Sequence, residues 1–250
     1  MLTNADTRVW AAVFGAAPEQ IVTDHLVSHV IAAIGAGPPL DQVVLLGGTA
    51  LARTHLADRR LSEDIDLWAE SATATFEALA LDLPRRLRRE FPGCRVEQEG
   101  PQTGSLLTRA GMRLRVQVVT NGAEHQRCVA VERRPVGLRY SDLPEAVGIR
   151  VPTLPGLVAM KHLAWAERAA PRDLADLAGL AEAGALDADA AAVVRCLRGF
   201  GITDHEVRQI PDHTRGSWAI DLAHQMRQVP DPDDALRLVR RAWGRALGWT

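Results

Sequence analysis

Gly47-Gly48-Thr49-Ala50-Leu51, followed by Ser62-Glu63-Asp64-Ile65-Asp66-Leu67, is the stretch on which the reading of this 250-residue chain turns. Residues 64–68 alternate polar and apolar, the mark of a half-buried strand. Asp64 and Asp66 then share one face, ~6.6 Å apart along the backbone at ~3.3 Å per residue, while Ile65 and Leu67 turn to the core. Two carboxylates at that reach can straddle a pair of divalent ions about 3.5–4 Å apart, as in in-line phosphoryl or nucleotidyl displacement. Oxygen-only ligation favours magnesium or manganese over zinc. Just upstream, the apolar run 43–46 stops at Gly47-Gly48 and a short helix is predicted over 49–56. The two glycines let the chain approach a ligand closely, and the helix start aims free N–H groups at an anion. Thr49 and Ser62 add hydroxyl donors for phosphate oxygens. Either element alone is common on a solvated surface; their order and separation carry the signal.

A second constellation lies at Lys161-His162-Leu163-Ala164-Trp165-Ala166-Glu167-Arg168 and Pro171-Arg172-Asp173-Leu174-Ala175-Asp176-Leu177. Lys161 is the chain's one lysine; arginine supplies the rest of the 29 basic residues. A lone lysine in an arginine-rich chain marks a place where a compact ammonium is wanted and a planar fork is not. Lys161 and Arg168, seven residues apart, share a helix face. Pro171 breaks that helix and opens the next, whose first turns hold Asp173 and Asp176. The blander reading is a salt-bridge knot between helices.

Outward from these motifs, helices are predicted over 6–14, 18–34 and 72–91, with a turn at Gly35-Ala36-Gly37-Pro38-Pro39 and a polar loop over 57–63. Short strands are predicted over 94–98, 105–109, 112–120 and 126–132, with Gly- and Asn-containing turns between them. From Thr153 onward the pattern is helix after helix. The expected organisation is an α+β domain with a small mixed sheet and N-terminal helices over 1–150, then a helical domain over 151–250 that supplies the Lys/Asp motifs. The short linkage leads us to expect close packing with a cleft between the two.

Gly-Gly-Thr-Ala-Leu, Ser-x-Asp-Ile-Asp-Leu and Lys-x-x-Ala-x-x-x-Arg-x-x-x-Arg-Asp-x-x-Asp-Leu together resemble the AbiEii/MenT family of nucleotidyltransferase toxins, in the DNA polymerase β-like superfamily, over 46–180. The resemblance implies that Gly47, Gly48 and Ser62 contact a nucleoside triphosphate and that Asp64 and Asp66 hold the metal, Mg2+ or Mn2+. It implies further that Lys161 grips phosphate and that Asp173 or Asp176 is the fourth-motif acid. Thr49 and Arg168 join the expected nucleotide contacts from their positions in the motifs. Relatives act as toxins of toxin–antitoxin or phage-defence systems, and some add nucleotides to the tRNA 3′ end. A tRNA or other RNA acceptor and a cognate antitoxin protein are the partners so implied; transfer to a protein or small molecule, or a non-catalytic nucleotide-binding module, are the alternatives. One departure stands out. Where related enzymes place a third carboxylate on a neighbouring strand, the segment Arg113-Leu114-Arg115-Val116-Gln117-Val118 offers Gln117, which cannot accept a proton.

Composition supplies the exclusions. At 47% hydrophobic and 24% charged the chain is ordinary for a globular protein, and no apolar run reaches the ~18–20 residues of a membrane span. The start of the chain has no basic stretch leading into an apolar core, so a signal peptide is not expected. Cys94, Cys128 and Cys196, widely spaced and odd in number, read as neither a disulfide framework nor a zinc site, and so point to a reducing cytoplasm. The pI near 6.4 argues against a diffuse nucleic-acid surface. Local clusters remain: Arg85, Arg86, Arg88 and Arg89; Arg133 and Arg134; and Arg237, Arg240, Arg241 and Arg245. Trp165, Trp218, Trp243 and Trp249 fit core positions better than base stacking. The eight histidines show no metal-ligand spacing, and only His55 stands near the glycine turn.

Overall fold

The computed structural model describes residues 2–37, 42–57, 59–120 and 122–249. Pro38 and Pro39 of the expected turn, Asp58 of the polar loop and Asn121 lie outside the described residues. The chain is a mixed α+β protein that divides into two compact units, 1–122 with 131–151, and 123–130 with 152–250.

The first unit carries helices α1 (Asn4–Phe14) and α2 (Pro18–Gly35), then strand β1 (Val43–Leu45), α3 (Gly47–Thr54), β2 (Asp64–Ala69) and α4 (Ala72–Leu87). It continues with β3 (Arg95–Gly100), β4 (Thr103–Leu107), β5 (Arg113–Thr120), β6 (Val131–Gly137) and β7 (Ala146–Pro152). The main sheet has the order β1-β2-β5-β4-β3, with β2 and β5 parallel and the other neighbours antiparallel. Period-2 patterning sorts its two faces. Ile65, Leu67, Leu106, Leu114, Val116 and Val118 are buried, and α2 and α4 pack against the sheet. The buried stripe of α4 (Ala72, Thr75, Phe76, Leu79, Leu83, Leu87) recurs every three to four residues, as an amphipathic helix requires.

A buried charge network ties α2, α3 and the segment after β6. Arg53 donates to Asp24 Oδ1 at 2.7 Å and to the Gly137 carbonyl at 3.1 Å, Arg139 reaches Asp24 at 3.2 Å, and the Tyr140 hydroxyl donates to Asp24 Oδ2 at 2.8 Å. Burial draws the Arg53 guanidinium down to about 10 against the pull of Asp24, so it stays cationic at neutral pH.

The second unit is helical: α5 (Ala123–Cys128), α6 (Leu154–Arg168), α7 (Pro171–Glu182), α8 (Ala188–Arg198), α9 (Asp212–Leu222) and α10 (Pro232–Leu247). Helix α7 is buried along most of its length, with α6, α9 and α10 packed on it. Helix α10 buries Ala235, Leu236, Val239, Ala242 and Trp243 and leaves Arg237, Arg240, Arg241 and Arg245 exposed on its other side. Trp165 and Trp218 are core residues as well, their indole N–H groups donating to the carbonyls of Glu206 and Pro230.

Three expectations are corrected. Residues 126–132 are not one strand: α5 ends at Cys128 and β6 starts at Val131, while β7 was not foreseen. Helix α3 begins at Gly47, so the glycines form its first turn and do not merely precede it. Cys128 and Cys196 form a disulfide joining α5 to α8, with Cα atoms 5.6 Å apart, and Cys94 alone is a buried free thiol. The pairing removes the cysteine-based ground for a reducing compartment. Among the described residues, no helix is long and apolar enough to cross a membrane.

Candidate active site

Strand β1 runs into the glycine turn, and β2 lies beside it. The Leu46 N–H donates to the Asp66 carbonyl at 2.8 Å, which pins the start of α3 against the acidic strand. Gly47 takes φ +67°, a left-handed conformation that favours glycine, and a Cβ there would stand 2.8 Å from Asp66 Oδ2. The turn thus leaves the Asp66 carboxylate a space that any other residue would fill. At Gly48 a Cβ would stand 2.4 Å from the Arg60 guanidinium. Leu46 provides no side-chain cap, so the first N–H groups of α3 are left for an outside acceptor.

Thr49 and Ser62 hold this arrangement together. Their hydroxyl oxygens lie 2.7 Å apart, both side chains are buried, and the Thr49 hydroxyl donates to the Asp64 carbonyl. Thr49 has one proton to give and gives it to Asp64; Ser62 therefore donates to Thr49. In this state the two hydroxyls lock the helix start to the acidic strand, and Ser62 must rotate to reach a phosphate. Thr49→Val is expected to strip the buried Ser62 hydroxyl of its partner and to cost about 1–3 kcal/mol, read by chemical denaturation.

The register places Asp64 beside Arg115 and Asp66 beside Gln117 on the parallel strand β5. Arg115 donates to Gln117 Oε1 at 2.8 Å, and Arg113 pairs with Glu99 at 2.5 Å and with Ser105 at 2.9 Å. Thr23, Glu63, Asp64, Glu99, Arg113 and Arg115 are among the residues lining a cavity of about 450 Å³ over this polar face. Among the described residues the Asp64 carboxylate makes no ion pair. An acceptor-only group facing a polar cavity, beside the pocket that glycine leaves at Asp66, is a donor set that suits a hard divalent cation.

Sequence reasoning singled out Gln117 on β5 and missed Arg60, Arg113 and Arg115. The alternation Arg113-Leu114-Arg115-Val116-Gln117 held the signal for the latter two, since all three polar residues fall on the face of Asp64 and Asp66. Nothing local marked Arg60, whose guanidinium is buried by the turn it supports.

In the helical unit, Lys161 Nζ lies 3.1 Å from Asp173 Oδ1 and 2.8 Å from Asp176 Oδ2. Arg168 donates to Asp173 through Nε at 2.7 Å and Nη2 at 3.0 Å. The four side chains of the second motif therefore form one cluster, with Asp173 fully buried. Burial raises the Asp173 carboxyl, but hydrogen bonding from Arg168 and the Lys161 charge outweigh it and hold it below the ordinary carboxylate range. His55 sits at the C-terminal end of α3, half-buried, and burial followed by the Arg134 charge lowers its imidazole. The expectation of no histidine metal spacing is overturned: His25 and His29, one turn apart on α2, lie with Glu90 and Asp142 in a cluster that could hold an ion.

The fold that carries this glycine turn and mixed sheet is similar to that of solved nucleotidyltransferase structures. The chain matches the nucleotidyltransferase toxin MenT4 of Mycobacterium tuberculosis H37Rv at 15% identity and a TM-score of 0.69, covering 100% of this chain and 91% of that one. It matches JHP933 of Helicobacter pylori at 16% identity and a TM-score of 0.58, covering 92% and 93%. No curated protein sequence matches the chain. The model of the nucleotidyl transferase AbiEii toxin family, of type IV toxin–antitoxin systems, matches residues 30–247, and the chain belongs to that family. It is a nucleotidyltransferase.

Proposed function

We propose that the protein transfers nucleotides from a nucleoside triphosphate to an RNA acceptor such as the tRNA 3′ end, as the toxin of a toxin–antitoxin pair. The apposition of Gly47 and Asp66 carries this reading: it places free helix-start N–H groups, suited to phosphate, beside a carboxylate suited to a metal.

Asp64 and Asp66 would hold the divalent ion, Mg2+ or Mn2+, which when bound supplies Lewis-acid stabilisation of the charge that builds on phosphate. Gly47, Gly48 and the start of α3 bind phosphate through backbone N–H groups, with Thr49 and Ser62 fixing the turn. Lys161 and Arg168 neutralise phosphate charge, and Asp173 and Asp176 orient those cations. Gln117 accepts a hydrogen bond from Arg115 and takes no proton, so the proton of the attacking hydroxyl goes to Asp66, another acid or water. A cognate antitoxin restrains the activity. The exposed arginines of α10 and those at the end of α4 offer the cations an RNA backbone needs.

Incubation of the purified chain with each labelled nucleoside triphosphate and total RNA tests this. Label in RNA is the expected outcome, and it should fall steeply as salt rises. Label in protein, or in neither, would reject the RNA acceptor.

A further inference from the structure

His25 and His29 are four residues apart and so share one face of α2. Facing them are Asp142, from the segment between β6 and β7, and Glu90, from the turn after α4. His25 Nε2 lies 3.1 Å from His29 Nε2 and 3.1 Å from Asp142 Oδ2, and His29 Nε2 lies 3.2 Å from that same oxygen. One ligand atom from each of the four side chains falls within 4.8 Å of the others.

Hydrogen bonding alone does not satisfy that triangle. If both Nε2 atoms carry protons, two N–H groups confront each other at 3.1 Å. If only one does, the bare nitrogen of the other ring turns its lone pair on a carboxylate oxygen 3.1–3.2 Å away. A cation at the centre resolves both cases, because every one of these atoms can then act as a donor to metal. A tetrahedral ion with bonds of about 2.0–2.1 Å sets its ligand atoms about 3.3–3.4 Å apart, close to the 3.1–3.2 Å among the His25, His29 and Asp142 atoms. The rings are also held in place. The Tyr140 ring meets His25 edge-on at 4.9 Å, Phe91 packs on His25 at 5.7 Å and on His29 at 5.4 Å, and His25 is almost wholly buried.

We propose that His25, His29, Glu90 and Asp142 form a zinc site that fastens α2 to the turn after α4 and to the segment after β6. Two imidazoles select a borderline-soft ion, and two carboxylates balance its charge. Four protein ligands make the site a structural one. It shares no residue with Asp64 and Asp66, whose oxygen-only pair suits a harder ion. Its neighbours Arg139 and Tyr140 carry the buried network on Asp24, so the metal would brace the same segment.

The test uses the full chain, stripped with chelator and then loaded with Zn2+ or Co2+. About one zinc per chain is expected by elemental analysis. At a hundredfold excess over Kd, Tm should rise by about 5–10 °C. Co2+ should give the intense visible bands of a four-coordinate site, without the thiolate charge-transfer band that Cys94 would contribute. His29→Ala and Asp142→Asn should lose the zinc and the bands, while an Asp64→Asn/Asp66→Asn variant keeps both. Should His29→Ala fail to fold, Glu90→Gln is measured in its place and must bind zinc at least tenfold more weakly. Absence of zinc from the wild-type chain, full zinc retention by His29→Ala and Asp142→Asn, or zinc lost only with Asp64 and Asp66 would each overturn the assignment.

Discussion

Asp66→Asn should lower nucleotidyl transfer by about a thousandfold or more while leaving the fold intact. The change keeps side-chain shape and removes the charge that holds the ion. Lewis-acid stabilisation of phosphoryl charge is worth several kcal/mol, and each ~1.4 kcal/mol is a factor of ten in rate. The Leu46 N–H that ties the glycine turn to this strand donates to the Asp66 backbone carbonyl, and that bond is untouched by the substitution. Rate is read as label incorporated at saturating nucleotide and Mg2+, alongside circular dichroism to confirm folding. A variant within tenfold of wild type would mean that Asp66 does not hold the reacting metal.

The second large effect belongs to Lys161. Its ammonium is buried against two buried carboxylates, Asp173 and Asp176. Removing one partner of such a cluster strands the rest, and Lys161→Ala should cost about 3–5 kcal/mol of stability. Asp173 keeps Arg168, and Asp176 loses the ammonium 2.8 Å away. A Lys161→Met/Asp176→Leu double variant should recover much of the loss, since the carboxylate facing the lost ammonium is removed with it. Equal destabilisation by the single and double variants, measured by urea unfolding, would show that the pair is not coupled. Acid sensitivity follows with a definite sign. Asp173 is held below the ordinary carboxylate range in the folded state, so its contribution is present above about pH 4 and is lost as pH falls further. Lys161→Arg separates the roles: a planar fork retains the charge but not the compact geometry, so transfer should fall more than stability does.

The sequence carried the glycine turn and strand β2 openly, because a Gly-Gly pair and a period-2 alternation are local signals. It carried the face of β5 half-openly, since the arginines beside Gln117 alternate with core residues. Other features depend on residues far apart in the chain. The short apolar run 128–131 suggests a strand, yet Cys128 ends a helix and bonds to Cys196, 68 residues away in sequence. His25 meets Asp142 across 117 residues, so no spacing rule along the chain reveals the pair. Lys161 was marked by composition and by its motif with Arg168, Asp173 and Asp176, and the folded helical unit shows its charge answered by Asp173 and Asp176.

Manganese binding followed by electron paramagnetic resonance, with and without nucleoside triphosphate, reads the proposed reaction centre most directly. Wild type and His29→Ala should both take up Mn2+ in a nucleotide-dependent manner, and Asp64→Asn/Asp66→Asn should not. Nucleotide-dependent Mn2+ binding of wild-type strength in the doubly substituted chain would contradict the assignment of the acidic pair as the metal site of this nucleotidyltransferase.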